Sequence, residues 1–170
     1  LKTRWIDTNK GDQENPDLRS RLVAKEFNTR DEEGLFAATP PLEALRLIIS
    51  RAATWDKTGQ EREMMINDVS RAYFYAEATR CMYIELPRED PLYDPTMLGR
   101  LRLCLYGTRD AAQNWEEEYT QFLESVGFNR GVYSPCVFYH PERDIRAVVH
   151  GDDFISSGEL ANTPGEEEDD

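Results

Sequence analysis

Two adjacent carboxylates, Asp152 and Asp153, stand between apolar runs near one end of the chain. The pattern predicts a β-hairpin with both acids in its tight turn. A third aspartate, Asp68, lies in the second half of an apolar segment, residues 64–69, which we expect to form a buried strand. Acidic groups at such positions cost free energy unless they are paired or bound to a metal. We therefore expect the three carboxylates to be paired, to bind a metal together, or to be exposed to solvent.

Three aspartates on neighbouring strands would meet at one edge of a sheet, where they would repel one another unless divalent cations lay between them. Mg²⁺ suits such a place because it binds a few carboxylates together with substrate phosphates. Two ions at that corner would serve phosphoryl transfer, since one activates the attacking hydroxyl and the other stabilises the leaving oxygen. A Gly-Asp-Asp sequence is also an ordinary hairpin tip, because glycine and aspartate are turn residues. The local pattern leaves both interpretations open.

The charge of the chain opposes a nucleic-acid partner. Its 170 residues include 20 Lys or Arg and 33 Asp or Glu, which gives a net charge of −13. Nucleic-acid binding usually depends on a basic surface that displaces counterions from phosphates. The acidic segment at 166–170 accounts for part of the excess, but the remainder is still acidic. A basic groove on an acidic chain and an acidic module that binds protein both remain open.

The composition indicates one hydrophobic core. An apolar fraction of 39% with 11% aromatic residues is too high for a disordered chain. No apolar run approaches the roughly 18 residues that a membrane helix needs. The three cysteines have no metal-ligand spacing, and no signal pattern or initiator Met opens the chain. We therefore expect an intracellular protein that is not secreted, does not enter a membrane and is cut from a longer chain.

Hydrophobic periodicity predicts an α+β fold. Two segments have helical spacing: one opens at Thr39-Pro40-Pro41 and stops at Gly59, and the other spans residues 109–126 before Gly127. Apolar runs predict strands at 19–27, 64–69, 81–86, 98–105, 137–140, 145–150 and 154–156, with a charged loop at 28–34 and a turn or short helix at 70–76. This order favours helices packed on an antiparallel sheet. We expect a polar loop over residues 1–18, a domain over 19–158 and a disordered acidic tail over 159–170.

Short motifs follow one another along this predicted domain. They are RLVAK at 21–25, PLEALRL at 41–47, NDVSRAY at 67–73, MYIELP at 82–87, LCLYG at 103–107, VGF at 126–128, SPCVF at 134–138 and HGDDFI at 150–155. Their order and spacing resemble the reverse transcriptases of Ty1/copia retrotransposons, whose corresponding segments include RLVAKG, MDVKSAF and YVDDIL. The resemblance covers roughly residues 19–158. It implies a right-hand polymerase architecture with an antiparallel palm sheet, packed helices and part of the fingers, and with the thumb missing.

The resemblance implies a catalytic role for each of the three aspartates. Asp68 matches the first catalytic aspartate of the family, and Asp152 and Asp153 match its paired aspartates. Together with the backbone carbonyl of Val69, they would hold two Mg²⁺ ions, which Mn²⁺ can replace.

The resemblance also implies a set of nucleotide-binding residues. Tyr73 matches the aromatic residue that blocks a ribose 2′-hydroxyl, and Tyr106 and Gly107 match the segment that lines the nucleotide pocket. Arg21 and Arg19 match cations of the fingers that would hold the incoming triphosphate, a task that suits a bidentate guanidinium. Without the resemblance, Tyr73 reads equally as a core aromatic and the two arginines as solvated strand residues.

The implied function is that of an RNA-directed DNA polymerase domain within a retrotransposon Pol polyprotein. The reaction would transfer a nucleotide from a dNTP to a primer 3′-hydroxyl, on an RNA template that forms a heteroduplex with the DNA primer. The rest of Pol would be its partner, including RNase H and the integrase that carries out DNA integration. We expect an enzyme by family, although the isolated chain would be weak or inactive without a thumb to hold the heteroduplex.

Three departures from the family pattern support another interpretation. The Tyr-Val that precedes the paired aspartates is His150-Gly151 here, and we expect the glycine to loosen the turn. Asp110 and Glu26 replace uncharged residues of the family. Asp110 would place negative charge near template or nucleotide, and Glu26 would place another acid near the fingers. A catalytically inactive retroelement relic therefore remains open, beside the acidic protein-interaction module.

Overall fold

Nine strands, two α-helices and one 3-10 helix make up the described part of the chain. The computed structural model describes residues 1–27, 35, 37–55, 59 and 61–159. In chain order the elements are β1 (Lys2–Asn9), β2 (Leu18–Lys25), α1 (Leu42–Ala52), β3 (Arg62–Asp68), the 3-10 helix Ala72–Tyr75, β4 (Tyr83–Glu85), β5 (Leu98–Arg100), α2 (Ala111–Ser125), β6 (Asn129–Arg130), β7 (Val137–His140), β8 (Ile145–His150) and β9 (Asp153–Glu159). The predicted mixture of helices with antiparallel strands is confirmed.

The chain divides into two units. Unit 1 comprises Leu1–Ala37 and Arg71–Tyr119, and unit 2 comprises Ala38–Ser70 and Thr120–Asp170. Helix α2 begins in unit 1 and ends in unit 2. The predicted boundaries of a domain over 19–158 stay predictions.

Unit 1 contains two antiparallel sheets of two strands each, β1 with β2 and β4 with β5. The chain thus begins with a strand, and the prediction of a loop over residues 1–18 was wrong for its first half. Polar residues alternate there with Thr3, Trp5 and Ile6, which favour strands. Trp5 is 44% exposed, so the eight register pairs with β2 stabilise β1 more than burial does. Sequence polarity is therefore a poor guide to a ribbon of this kind.

Unit 2 is built on one five-stranded antiparallel sheet in the order β3-β9-β8-β7-β6. Helix α1 packs against β3, β8 and β9. The most buried apolar side chains belong to α1, β7, β8 and the residue before β7, and all are at most 1% exposed: Ile48, Cys136, Phe138, Val148 and Val149. The apolar runs that predicted β7 and β8 are therefore the core of this unit.

Strand β3 lies at the edge of the sheet, and the expectation that residues 64–69 form a buried strand was wrong. Met64, Met65 and Ile66 are 43%, 57% and 62% exposed. Among the described residues β3 has one neighbouring strand, β9. Apolar composition predicted the strand correctly, but its place in the sheet determines the burial.

The remaining predicted elements agree with the structure except at their ends. Both helices, the short helix and the strands β2, β7, β8 and β9 lie where the pattern predicted them. Strands β4 and β5 are shorter than predicted, because after Arg100 the backbone leaves the ladder and the N–H of Cys104 donates instead to the carbonyl of Ala76. The two-residue β6 was not predicted. The loop at 28–34 and the tail from residue 160 lie outside the described residues.

No helix within the described ranges is long and apolar enough to cross a membrane.

Replacing Phe138 with Ala tests where the core of unit 2 lies. Phe138 is 0% exposed, so its truncation leaves a cavity and should lower the free energy of unfolding by about 3–5 kcal/mol. Tyr133→Ala is the control, because that side chain is fully exposed and its loss should cost less than about 0.5 kcal/mol. Urea denaturation followed by circular dichroism measures both. Equal losses in the two variants would contradict this assignment.

Candidate active site

Asp68 and Asp153 face each other across the β3–β9 ladder. Asp68 is the last residue of β3, Asp153 is the first of β9, and the two form the final register pair. Directly opposed residues carry their side chains on the same face, with Cβ atoms about 4.5–5.5 Å apart. On its other side Asp153 pairs with His150 of β8. Asp68 is exposed and Asp153 is half-buried, so solvent reaches both residues.

Asp152 lies in the turn beside this pair. Gly151 and Asp152 join β8 to β9, and Gly151 has a φ of +66°. A positive φ at the first of two turn residues fits a type II′ hairpin, which takes glycine there. The N–H of Val69 donates to the carbonyl of Asp152 at 2.9 Å and continues the contact past the ladder. The three predicted catalytic aspartates thus lie at one corner of the sheet, and Gly151 fits the turn that it was expected to loosen.

This corner has the donor chemistry of a site for a hard cation, without a preformed cage. In the ranges that the structure describes, no three His, Cys, Asp or Glu side chains are grouped to hold a metal ion. Mg²⁺ needs only one or two protein carboxylates when substrate phosphates and water supply the remaining oxygens. The opposed Asp68 and Asp153 meet that requirement, with Asp152 and the Val69 backbone next to them. Two ions at this corner stay a prediction.

In unit 1 the ring of Tyr106 brings several predicted nucleotide-binding residues together. The ring of Tyr73 lies 4.8 Å from it between centroids, at an interplanar angle of 48°. Phe74 makes an edge contact at 5.7 Å, and the guanidinium carbon of Arg21 lies 5.9 Å from the Tyr106 centroid. That distance is within the range of a cation–π contact. Arg21, Tyr73 and Tyr106 are thereby joined in one cluster.

Arg19 does not join the Tyr106 contacts that the structure describes. It forms an ion pair with Asp17 at 3.3 Å, with side chains 61% and 57% exposed. Exposed pairs of this kind contribute about 0–1 kcal/mol, so Arg19 can exchange this partner for a phosphate at little cost. Its nucleotide-binding role stays a prediction.

Gly107 allows strand β2 to pass directly against the turn that carries Tyr106. Its φ is +84°, and a Cβ at this position would lie 2.2 Å from the carbonyl oxygen of Ala24. The N–H of Ala24 donates to the carbonyl of Tyr106 at 2.7 Å. Both the conformation and the close approach require glycine.

Glu26 and Asp110 share one cation, Arg80. The two guanidinium Nη atoms of Arg80 donate to Glu26 at 2.7 and 2.9 Å, and Nη2 also donates to Asp110 at 2.8 Å. Hydrogen bonds from Arg80 hold the pKa of both carboxyls below the ordinary value. The carboxylates of Asp110 and Glu26 raise the pKa of Arg80, which stays charged. Asp110 is only 2% exposed, and both acids have a partner. The expected charge of Asp110 near template or nucleotide, and of Glu26 near the fingers, stays a prediction.

Arg80 itself was missed in the sequence. It lies 54 residues from Glu26 and 30 from Asp110, so no local pattern links them. The usable signal was the replacement of two uncharged family positions by acids, since two buried acids call for a cation within reach.

Substituting Gly107 tests the close approach of β2. Gly107→Ala should destabilise the chain more than Gly59→Ala by at least about 1 kcal/mol. Gly59 has the same φ of +84° but nothing within 4 Å of an added Cβ, so both variants carry the backbone strain and only one carries the clash. Thermal unfolding of the two variants gives the difference. Equal midpoints would mean that β2 does not lie against this turn.

The pairing of Glu26 and Asp110 with Arg80 predicts a loss of stability in acid. Because the pKa values of Glu26 and Asp110 are lowered by folding, the unfolded chain binds more protons. Their contribution is fully present above the ordinary carboxyl pKa of about 4 and is lost as the pH falls below it. Asp110→Asn should lower stability at pH 7 and flatten the dependence of the unfolding free energy on pH below about 4. Urea titrations over this pH range measure the slope, and an unchanged slope in the variant would contradict the assignment.

Comparison with known proteins identifies the family of the chain. The family model described as reverse transcriptase (RNA-dependent DNA polymerase) matches residues 1–163. The retrovirus-related Pol polyprotein from transposon TNT 1-94 of Nicotiana tabacum is 27% identical over 145 residues, which cover 82% of this chain and 10% of that protein. Those from transposons RE1 and RE2 of Arabidopsis thaliana are 26% and 27% identical over 163 residues, 91% of this chain and 11% of each relative. No solved structure matches the chain.

The chain thus spans about a tenth of the length of the curated relatives it matches. The matched residues include the Asp68–Asp153 corner and the Tyr106 cluster. The resemblance to copia-type enzymes, predicted from the motifs, is confirmed, and the chain belongs to the reverse transcriptase (RNA-dependent DNA polymerase) family.

Proposed function

We propose that this chain is the RNA-directed DNA polymerase domain of a copia-type retrotransposon Pol polyprotein. It adds nucleotides from dNTPs to the 3′-hydroxyl of a DNA primer that is paired with an RNA template. The observation that carries the proposal is the register of β3 and β9, which sets Asp68 opposite Asp153, beside the turn that holds Asp152. In a chain of this family, opposed carboxylates at a solvent-accessible corner support nucleotidyl transfer.

Asp68, Asp152, Asp153 and the carbonyl of Val69 are the residues to hold two Mg²⁺ ions, which Mn²⁺ can replace. When bound, the ions supply positive charge for the triphosphate and activation of the primer hydroxyl. The donor set fits, because it consists of oxygen ligands at an exposed sheet end. Without a cation the opposed carboxylates repel each other and would repel a triphosphate, so this corner is suited to a nucleotide that arrives with its metal.

The Tyr106 cluster of unit 1 supplies the contacts for the nucleotide. Arg21 lies over the Tyr106 ring, and its planar guanidinium is suited to donate two hydrogen bonds to phosphate oxygens. Tyr73 packs on the same ring and excludes a ribose 2′-hydroxyl by its bulk, which selects deoxynucleotides. Gly107 leaves room for the backbone, and Arg19 adds a second cation on β2.

The proposal assigns the sheet of unit 2 to the palm of a right-hand polymerase and the β1–β2 ribbon to its fingers. The partners are the RNA template, the DNA primer, the dNTP and the other parts of Pol, including integrase and RNase H. Copying takes place inside the cell, in a cytoplasmic particle or the nucleus.

Several acids that contribute to the net charge of −13 are paired with arginines inside the fold. Arg80 neutralises part of the charge of Glu26 and Asp110 within unit 1. In unit 2, Asp144 is paired with three arginines, Arg51, Arg62 and Arg146. These acids are matched within the fold and do not face a nucleic-acid ligand unpaired.

Replacing Asp68 with Asn tests the proposed chemistry. Primer extension by the full-length Pol protein on an RNA template, with dNTPs and Mg²⁺ or Mn²⁺, should fall by about 100-fold or more, because metal stabilisation of the transition state is worth several kcal/mol. The matched control is Glu63→Gln, which removes an exposed carboxylate from the same strand and should leave the rate unchanged. Equal rates for Asp68→Asn and the unaltered chain would exclude the proposed role.

A further inference from the structure

Arg80 connects three parts of unit 1 through one guanidinium. Nη1 and Nη2 make two parallel hydrogen bonds to the two oxygens of Glu26, just beyond the end of β2. Nη2 also reaches Oδ1 of Asp110, the residue before α2. The planar fork of arginine makes such bidentate pairs directional as well as strong. Arg80 thus fixes the end of β2 relative to the start of α2.

The carboxylates that Arg80 holds are also bound to the backbone and side chains around them. Oε2 of Glu26 accepts the N–H of Arg109 at 2.8 Å. Oδ2 of Asp110 accepts from Nδ2 of Asn114 at 3.3 Å, one turn into α2. The short segment from Gly107 to Asp110 is therefore fastened at its far end by hydrogen bonds that depend on Glu26 and Arg80.

The other end of that segment, at Gly107, directly follows Tyr106, whose ring is the centre of the Tyr106 cluster. The N–H of Ala24 donates to the carbonyl of Tyr106 at 2.7 Å, two residues before Glu26 on the same chain. The turn is thus pinned to β2 on both sides of Gly107, once by the backbone and once through Glu26. Because Arg21 lies on β2 and its guanidinium lies over Tyr106, this double attachment sets the spacing between the two side chains.

The chemistry of the cluster favours positioning over stabilisation. Arg80 holds two carboxylates whose side chains are 12% and 3% exposed. Buried ion pairs often contribute no more stability than apolar residues of similar size, because desolvation offsets their attraction. Uncharged residues occupy both acidic positions in the family pattern. The contribution of Arg80, Glu26 and Asp110 is therefore to fix the end of β2 relative to the start of α2.

We propose that Arg80 is a positioning residue, which holds the Tyr106–Asp110 turn against β2 through Glu26 and Asp110 and so sets the nucleotide-selecting contact of Arg21, Tyr106 and Tyr73. The inference rests on the proposed function of that cluster. It assigns to Arg80 no contact with the substrate.

Nucleotide selectivity separates positioning from a purely structural role. In the full-length Pol protein, Arg80→Gln should lower the ratio of dCTP to CTP incorporation by about tenfold, since small displacements of positioned groups have effects of this size or larger. Tyr73→Ala should lower the same ratio and is the positive control. Arg51→Gln is the matched control, because Arg51 is also a half-buried arginine paired with an aspartate, in unit 2. It should reduce stability without changing the ratio.

Hydrogen exchange tests the attachment without any nucleotide. Arg80→Gln should accelerate exchange at the amides of Ala24 and Arg109 by at least about tenfold, while amides of the β8–β9 hairpin keep their protection. If Arg80→Gln does not fold, Arg80→Lys takes its place, because lysine keeps the charge but cannot form the bidentate bridge. Faster exchange with no incorporation by the full-length Pol protein that carries the unaltered chain would sustain the attachment and defeat the proposed function. Unchanged exchange, or an unchanged ratio in a folded variant, would overturn the role of Arg80.

Discussion

The opposition of Asp68 and Asp153 is the constraint on which the site depends. Two like charges roughly 4 Å apart repel by about 1 kcal/mol in water and by more where solvent is excluded. Seven register pairs between β3 and β9, with the Val69–Asp152 hydrogen bond beyond them, hold the carboxylates together against this repulsion. The position of the pair at the exposed end of the ladder keeps the cost low. The sheet thereby keeps Asp68 and Asp153 opposite each other at one exposed corner.

In unit 1 a short turn fixes the spacing between aromatic and cationic side chains, since Tyr106 on the turn contacts both Tyr73 and Arg21. Tyr106 contributes its carbonyl to β2 and its ring to the contact with Tyr73. Gly107 permits the close approach, and Arg80 fastens the segment that follows. Tyr106, Gly107 and Arg80 lie outside the helices and strands, so individual hydrogen bonds fix their positions.

Local patterns predicted those parts of the structure whose energetics are local. The runs that became β7 and β8 gave correct bounds because both strands form the buried core. The exposure of Met65 on β3 could not be predicted from the local sequence, since the position of a strand at the edge depends on the order of all strands in the sheet.

The candidate site, too, could be predicted only in part, because it depends on contacts between residues that are distant in the sequence. The meeting of Asp68 with Asp153 came from the order of family motifs, because nothing within either strand specifies its neighbour. The pairing of Glu26 and Asp110 with Arg80 was missed, since their partner is distant in sequence and visible only after folding.

The edge position of β3 has a consequence for how the protein behaves at high concentration. An exposed edge strand with apolar side chains offers unpaired backbone groups to a second chain and invites aggregation. Charged residues stand at both ends of this strand, Arg62 and Glu63 at one and Asp68 at the other, and such gatekeepers oppose intermolecular pairing. The aspartate proposed for catalysis thus also helps to keep separate copies of the chain from joining edge to edge.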